Sequence, residues 1–357
     1  MPDTCHGSHG FEGCLANGSH SERNVIWVWR TRGLNETEIQ RTCVRNDETI
    51  SPPTTRFDWR DSLFRQPIAF YPAVVPELPE VEVLVRHLRP RLQGRKVHAV
   101  RVFRDKTVAT TSRRFARVLR GAEFLELGRR GKYLLFSLKP ATGAGPLLLT
   151  GHLGMTGRMY LAPKSARLPK HAAVVLDLGA ENFVFADTRY FGRLTLGRGA
   201  LARLGPEPLG EEFTADYLAR ILKRSSQPIK VKLLDQALVA GVGNIYASES
   251  LFRAGISPLT AARKLTLRQA VRLRDAIRSV LMEAIDGGST VPLDFAGAGE
   301  RDGLFYFGRA PGTVDYYAER LRVYDRAGQP CVNCGIAVRR LVQAARSTFY
   351  CPSCQRR

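Results

Sequence analysis

The apolar pattern of this chain changes period once, at Leu204-Gly205-Pro206-Glu207-Pro208. Before that point apolar residues mostly alternate, as in strands; after it they recur at helical spacing. Strands are predicted over 97–103, 123–127, 133–138, 147–152, 173–178 and 183–186, with Gly128-Arg129-Arg130-Gly131 as a hairpin connection. Two helices interrupt this half. One spans 79–92, where Val81, Leu84, Val85, Leu88 and Leu92 share a face and Pro79 occupies the first turn; the other spans 112–120. Beyond the switch, helices are predicted over 211–225, 229–236, 244–254 and 266–285, the last ended by Gly287-Gly288. The two prolines and two glycines between 204 and 210 make a stiff linker. The expected fold class is α+β: an N-terminal antiparallel β-sandwich with flanking helices, then a helical domain.

Charge and cysteines narrow the function. The 357 residues carry 54 Lys and Arg against 33 Asp and Glu, a formal net charge of +21. An excess of this size points to a polyanionic partner. No apolar run reaches the length of a membrane span. Cys331, Cys334, Cys351 and Cys354 form C-x2-C-x16-C-x2-C, a spacing that presents four thiolates to one tetrahedral zinc ion. A disulfide pair or a redox C-x2-C is the rival reading. Cys5, Cys14 and Cys43 have irregular spacing and read as incidental.

The first 75 residues differ in kind from the rest. They hold all three tryptophans, 8 Arg, no Lys and 9 acidic residues, whereas the remainder holds 46 basic and 24 acidic residues. Val75 stands where an initiator methionine would stand. The segment is therefore expected to be upstream sequence read through the true start; a natural disordered tail and a cleaved propeptide are the alternatives. It lacks the basic start and apolar run of a signal peptide.

Two further motifs carry chemistry. In Ala240-Gly241-Val242-Gly243-Asn244-Ile245-Tyr246, glycines allow close approach to a phosphate, Asn244 is placed to cap the following helix, and the helix N-terminus is expected to face the anion. No Gly-Lys-Ser/Thr follows, so this is not a Walker loop. The second is Pro76-Glu77-Leu78-Pro79-Glu80-Val81-Glu82. Together with Gly131-Lys132-Tyr133, His152-Leu153-Gly154-Met155, Asp187-Thr188-Arg189-Tyr190-Phe191-Gly192, Leu204-Gly205-Pro206-Glu207-Pro208-Leu209 and Arg346-Ser347-Thr348-Phe349-Tyr350-Cys351, these segments resemble, in order, the formamidopyrimidine-DNA glycosylase family over nearly all of 76–357.

The resemblance implies a bifunctional DNA glycosylase and abasic-site lyase. It would excise 8-oxoguanine and formamidopyrimidines from damaged double-stranded DNA and nick the strand by β,δ-elimination, as a monomer with one structural zinc. It implies a bacterial cytoplasmic enzyme, associated with the nucleoid through DNA. By the same resemblance, Pro76 is the nucleophile through a free α-amine and Glu77 the proton donor. Lys132 serves phosphate contact and β-elimination; Arg346 holds phosphate and serves δ-elimination. Lys230 and Asn244 grip phosphate, Glu249 is a buried acid near the nucleophile, and His171 contacts DNA. Met155, Arg189 and Phe191 fill the void left by the extruded base. The implied organisation is an extension at 1–75, a catalytic sandwich at 76–203, a linker at 204–212, a helix–two-turn–helix domain at 213–290, a lesion-recognition loop region at 291–320 and a zinc finger at 321–357.

Some positions depart from the family pattern. Tyr190 stands where a second basic residue is common, and Ser225 where a lysine is cited. The region 296–314 is longer than usual, which leaves lesion preference open. Leu78 matches the oxidised-purine branch, whereas the endonuclease VIII-like pyrimidine branch usually has glycine there. An oxidised-pyrimidine enzyme is one alternative. A non-catalytic damaged-DNA-binding protein is the other, and it follows if residues 1–75 are retained, because the Pro76 nitrogen is then an amide whose lone pair is delocalised.

Overall fold

The computed structural model describes residues 76–143, 145–287 and 321–356, and the backbone of two short strands, β1 (Val44–Arg45) and β2 (Glu48–Thr49). The chain divides into two compact units, Met1–Phe70 and Tyr71–Arg357. In the first, β1 and β2 pair antiparallel. The remainder of the expected 1–75 extension and the expected loop at 291–320 lie outside the described residues.

Helix α1 (Leu78–Leu92) opens the described part of the second unit. Eight strands follow: β3 (Ala99–Val102), β4 (Glu123–Arg130), β5 (Tyr133–Lys139), β6 (Leu147–His152), β7 (Gly157–Pro163), β8 (Ala172–Asp177), β9 (Glu181–Asp187) and β10 (Arg193–Leu196). They make two antiparallel sheets, in the orders β10-β6-β5-β4 and β3-β8-β9-β7. Alternation decides which face is buried. In β5, Leu134, Phe136 and Leu138 point inward. Phe124 and Phe136 from one sheet meet Phe183 from the other, with ring centroids 5.7–6.5 Å apart, so the sandwich core is interlocked by aromatic edges. Helix α2 (Ser112–Leu119) adds Phe115 and Leu119 to this core.

Sequence periodicity missed two strands. In β7 the apolar stretch Met159-Tyr160-Leu161-Ala162 lies between Arg158 and Pro163 and does not alternate, and β10 is only the four residues Arg-Leu-Thr-Leu. The hairpin connection is also displaced. β4 continues through Arg130, and the turn is the two residues Gly131-Lys132, which places Lys132 at its tip.

Past the linker come α3 (Ala215–Leu222), α4 (Ile229–Leu233), α5 (Asn244–Arg253) and α6 (Leu267–Asp286). Helix α3 starts later than its pattern predicts because the Thr214 hydroxyl accepts from the Tyr217 N–H at 3.0 Å and caps it there. Strands β11 (Arg339–Gln343) and β12 (Arg346–Tyr350) close the chain as a hairpin, and β12 packs on α5. Among the described residues no helix is long and apolar enough to cross a membrane.

Helix α1 joins the two cores. Val81 through Leu92 pack into the sandwich, while Leu78 belongs to the helical core. The Leu78 N–H donates to the Gly241 carbonyl at 3.1 Å, and a side chain on Gly241 would meet Leu78 at 2.7 Å. The first turn of α1 is thus pinned against the Gly-rich turn that precedes α5.

Candidate active site and nucleic-acid interface

Pro76 and Glu77 are both buried at this seam. The Glu77 carboxylate accepts from the backbone N–H groups of Gly243 at 2.8 Å, Ile245 at 2.9 Å and Tyr246 at 3.4 Å. A carboxylate therefore occupies the N-terminus of α5, where the unpaired N–H groups and the helix dipole favour an anion. This corrects the expectation that Asn244 caps α5 toward a phosphate. Gly243 is the cap residue, and the N–H groups are already taken by Glu77. Glycine is required at 243 because a Cβ there would lie 2.6 Å from Lys132 Nζ and closer still to the Glu77 carboxyl. The next turn of α1 supports the site: Glu80 accepts from the Glu77 N–H at 2.9 Å and from the Tyr246 hydroxyl at 2.6 Å.

Burial pushes the Glu77 carboxyl above its ordinary range, against the pull of Lys132 and the three N–H groups. Burial lowers the Lys132 ammonium, and Glu77 opposes that shift. Glu80 is pushed up to about 7 by burial, with the Glu77 charge adding to it. The pair beside Pro76 thus combines an acid that holds its proton more tightly and an amine that holds it less tightly than in water, the arrangement proton transfer needs near neutrality.

Lys132 is held from outside the hairpin. Glu207 of the linker accepts from Arg129 at 2.8 Å, from Arg130 at 2.9 Å and from the Gly131 N–H at 2.5 Å. Arg129 also reaches Glu82 of α1 at 2.8 Å. One linker carboxylate therefore fixes the strand end that carries Lys132. Glu207 had no functional assignment from sequence; its signal was an acid set in a Gly-Pro-Glu-Pro run downstream of an Arg-Arg-Gly-Lys turn.

Lys230, Asn244 and Arg346 meet from α4, α5 and the C-terminal hairpin. The Lys230 ammonium donates to the Asn244 side-chain carbonyl and to the Ser347 carbonyl at 3.3 Å, and the Asn244 amide donates to the same Ser347 carbonyl at 3.0 Å. Burial and the Arg346 charge lower Lys230 to about 8, so it remains largely cationic at neutral pH. Arg346 is exposed, one residue past a turn whose Ala344 and Ala345 both have positive φ (47° and 58°). Its charge acts on Lys132 as well as on Lys230. Three cations thus surround the Glu77 pocket. Glu249 is buried, and its carboxylate accepts from the N–H groups of Arg322, Val323 and Tyr324 at 2.8–3.0 Å. It anchors the chain that leads into the hairpin, and its link to the pocket runs through Tyr324, whose hydroxyl lies 3.5 Å from the Asn244 amide.

Met155, Arg189, Phe191 and His171 form a second group. The buried Asp187 accepts from the Thr156 hydroxyl at 2.5 Å, the Arg189 N–H at 3.1 Å and the Gly192 N–H at 2.7 Å. One carboxylate therefore joins the loop that bears Met155 to the loop that bears Arg189 and Phe191. Gly154 (φ 66°) lies where a Cβ would strike the Gly192 nitrogen at 2.7 Å, so the loops touch there too. Phe191 is 52% exposed, and the Arg189 guanidinium lies 5.1 Å from its ring centroid. An exposed aromatic beside a cation suits insertion into a base stack. Strand β6 connects the two groups. His152, its last residue, pairs with Tyr133 next to Lys132, and its Nδ1 accepts from the Gly154 N–H at 3.1 Å. Burial and the cations Lys132 and Arg193 depress His152 to about 4, which keeps it neutral for that bond.

The four cysteine sulfurs lie within 4.8 Å of one another, with Cys331–Cys354 at 3.9 Å and Cys334–Cys351 at 3.5 Å. A Zn–S bond of about 2.3 Å sets tetrahedral sulfurs about 3.8 Å apart, so the quartet fits one zinc ion. Phe252 of α5, Val323 and Phe349 pack with Cys331 and Cys351, which ties the metal cluster to the helix that binds Glu77.

Three family models match. Residues 75–194 match the formamidopyrimidine-DNA glycosylase N-terminal domain, 204–294 its H2TH domain, and 328–357 a zinc finger found in FPG and IleRS. A formamidopyrimidine-DNA glycosylase from Parasynechococcus marenigrum is 43% identical over 293 residues; the match takes in 79% of this chain and 100% of that protein. The chain belongs to the formamidopyrimidine-DNA glycosylase family. Its relative from Thermus thermophilus is 44% identical over 289 residues, spanning 79% of this chain and 98% of the relative. Among solved structures, a Lactococcus lactis FPG mutant in complex with a Fapy-dG containing DNA superposes with a TM-score of 0.69 at 31% identity, over 79% of this chain and all of that one. MutM in complex with carbocyclic 8-oxo-G containing DNA gives 0.69 at 32%, with the same coverage. Zinc is the family's structural metal, and the cysteine quartet here fits it.

Proposed function

We propose that this glycosylase-family chain excises 8-oxoguanine and formamidopyrimidines from duplex DNA in base excision repair. It then cleaves the strand by β,δ-elimination through Pro76. The observation that carries this reading is that Glu77, the residue after the buried Pro76, lies against the N-terminus of α5 and beside Lys132.

The chemistry follows from those groups. A free Pro76 amine, with a pKa of about 8, is unprotonated in roughly a tenth of molecules at pH 7, far more than an ordinary lysine with a pKa of about 10.4. It attacks C1′, the bond to the damaged base breaks, and the proton shed by the Pro76 nitrogen balances the one that the departing base takes up. Glu77 gives its proton to the sugar ring oxygen, the ring opens, and a cationic iminium links Pro76 to C1′. The iminium takes up the electron pair left when C2′ loses a proton, and the C3′–O bond breaks; a second elimination breaks the C5′–O bond. Lys132 serves the first elimination. Arg346, Lys230 and Asn244 hold the phosphate that flanks the site, with Arg346 serving the second. Glu249 supports this wall by anchoring residues 322–324. Met155, Arg189 and Phe191 occupy the emptied stack, and His171 lies beside the backbone. A zinc ion held by Cys331, Cys334, Cys351 and Cys354 would serve structurally, fixing the β11–β12 hairpin that carries Arg346.

The amine must first be liberated. In this sequence Val75 precedes Pro76, while the Parasynechococcus marenigrum relative is covered end to end by 79% of the chain and the first family model begins at residue 75. We infer that the working enzyme begins at Pro76 and acts in a bacterial cytoplasm, bound to the nucleoid through DNA. The second reading, DNA binding without catalysis, is favoured by that Val75–Pro76 amide alone.

Borohydride trapping with 8-oxoguanine duplex DNA decides between them. The polypeptide that starts at Pro76 should form a covalent adduct, and the intact 357-residue chain should not. A full-length, uncleaved chain that traps equally well would overturn the role of the amine. Failure of both to trap while both bind DNA would establish the non-catalytic reading.

A further inference from the structure

Tyr190 sits between Arg189 and Phe191 with φ 54°, a left-handed conformation that costs a tyrosine about 1–3 kcal/mol. The Asp187 bonds to the flanking N–H groups of residues 189 and 192 hold it there. In this conformation its hydroxyl lies 3.1 Å from His171 Nδ1, and its ring receives the Arg104 guanidinium, whose carbon is 4.8 Å from the ring centroid. Arg104 arrives from the end of β3, where the Phe103 N–H donates to the Ala173 carbonyl at 2.8 Å and so places residues 103–104 beside 171–173. Arg104 and Lys170 are exposed and flank one depression of about 320 Å³. Among the described residues no carboxylate lies within ion-pair distance of either.

We propose that Arg104, stacked on the Tyr190–His171 platform with Lys170 beside it, binds a DNA phosphodiester adjoining the point where Arg189 and Phe191 enter the duplex. The inference rests on the function proposed above. A guanidinium held flat by a ring keeps its N–H edge open and loses little side-chain entropy when two phosphate oxygens take it. The platform is contiguous in sequence with Arg189 and Phe191, so a backbone running past those residues passes Arg104. Tyr190 carries no charge, and its ring instead holds in place a cation drawn from β3. The strained tyrosine thereby acquires a use that packing alone does not give it.

Duplex DNA binding by the full chain, measured by fluorescence anisotropy against salt concentration, tests this. Neutralising one phosphate contact should lower the slope of log K against log salt by about 0.9. Between about 50 and 200 mM salt, that makes the loss of affinity roughly 3- to 4-fold smaller than for the parent. Arg104→Gln should show this change on damaged and undamaged duplexes alike, and Arg104→Lys should restore the parent slope. Tyr190→Leu should reproduce most of the Gln effect, and Arg272→Gln, at an exposed position of α6 in the helical half, should leave the slope unchanged. Melting temperature and zinc content show whether each variant is folded. A steep parent slope with Arg104→Gln superimposed on it would refute the subsite and leave the proposed function standing. A fall in affinity at unchanged slope would also refute it, because the arginine would then act only by packing. A parent chain that binds no duplex at any salt would instead overturn the function on which the subsite rests.

Discussion

Gly243→Ala isolates the feature on which the proposed chemistry depends. The added methyl would stand 2.6 Å from Lys132 Nζ and nearer to the Glu77 carboxyl, where unstrained contacts are about 3.5–4.0 Å. Glu77 must retreat by about 1 Å. Its bonds to Gly243, Ile245 and Tyr246 cannot all survive that move. A displacement of that size at a reacting group costs on the order of 100-fold in rate, about 2.7 kcal/mol of barrier. The assay is single-turnover release of 8-oxoguanine by a polypeptide beginning at Pro76. DNA affinity, zinc content and melting temperature report on the rest of the molecule. The expected result is a rate lower by about two orders of magnitude with affinity retained, since the nearest neighbours of the added methyl are Glu77 and Lys132 and not Lys230, Arg346 or Arg189. A folded variant that excises within roughly threefold of the parent rate would show that the placement of Glu77 is not what the glycine protects.

Other expectations follow from neighbouring contacts. Glu80 has a carboxyl raised from 4.5 to about 7, so the folded state binds its proton more tightly than the unfolded chain does, and stability falls as pH rises from about 4.5 through 7. Glu80→Gln should flatten that decline, worth up to about 3 kcal/mol, in denaturant melts at pH 5 and 8; an unchanged pH profile would contradict it. Glu207→Ala removes the acceptor shared by Arg129, Arg130 and Gly131, and should slow trapping at least tenfold, with the melting point lowered by only a few degrees because the cluster is partly solvated. Asp187→Ala should impair excision from intact duplex far more than cleavage of a preformed abasic site, because it frees the Met155, Arg189 and Phe191 loops while Glu77 stays fixed; equal losses would place Asp187 in general folding instead. Cys334→Ser should lower zinc content and abolish tight DNA binding together, as read by metal analysis and anisotropy; retained affinity after zinc loss would detach the hairpin from the interface.

Much of the site was legible because its residues sit in short motifs. The cysteine quartet needed only spacing, and its sulfurs do converge. Pro76, Glu77, Lys132, Lys230, Asn244 and Arg346 come together around one pocket although they span 270 positions of the sequence. What motif reading misassigned was the use of the α5 N-terminus. Gly243 and Asn244 looked like a phosphate cradle, and only the docking of α1 against the turn reveals that Glu77 takes those N–H groups. Strands β7 and β10 escaped notice because one holds a buried arginine and the other is four residues long.

Local sequence determined the elements, the metal ligands and the two-part architecture, since periodicity, knuckle spacing and turn composition act between near neighbours. Tertiary structure alone decided which carboxylate serves which task. Glu77, Glu80, Glu207, Asp187 and Glu249 are similar acids in the sequence. One accepts at a helix terminus, one supports it, one clasps the hairpin, one joins two loops and one anchors the C-terminal strand pair. The physical reason is that a carboxylate's role is set by the donors and the burial around it, and those donors lie up to 169 residues away.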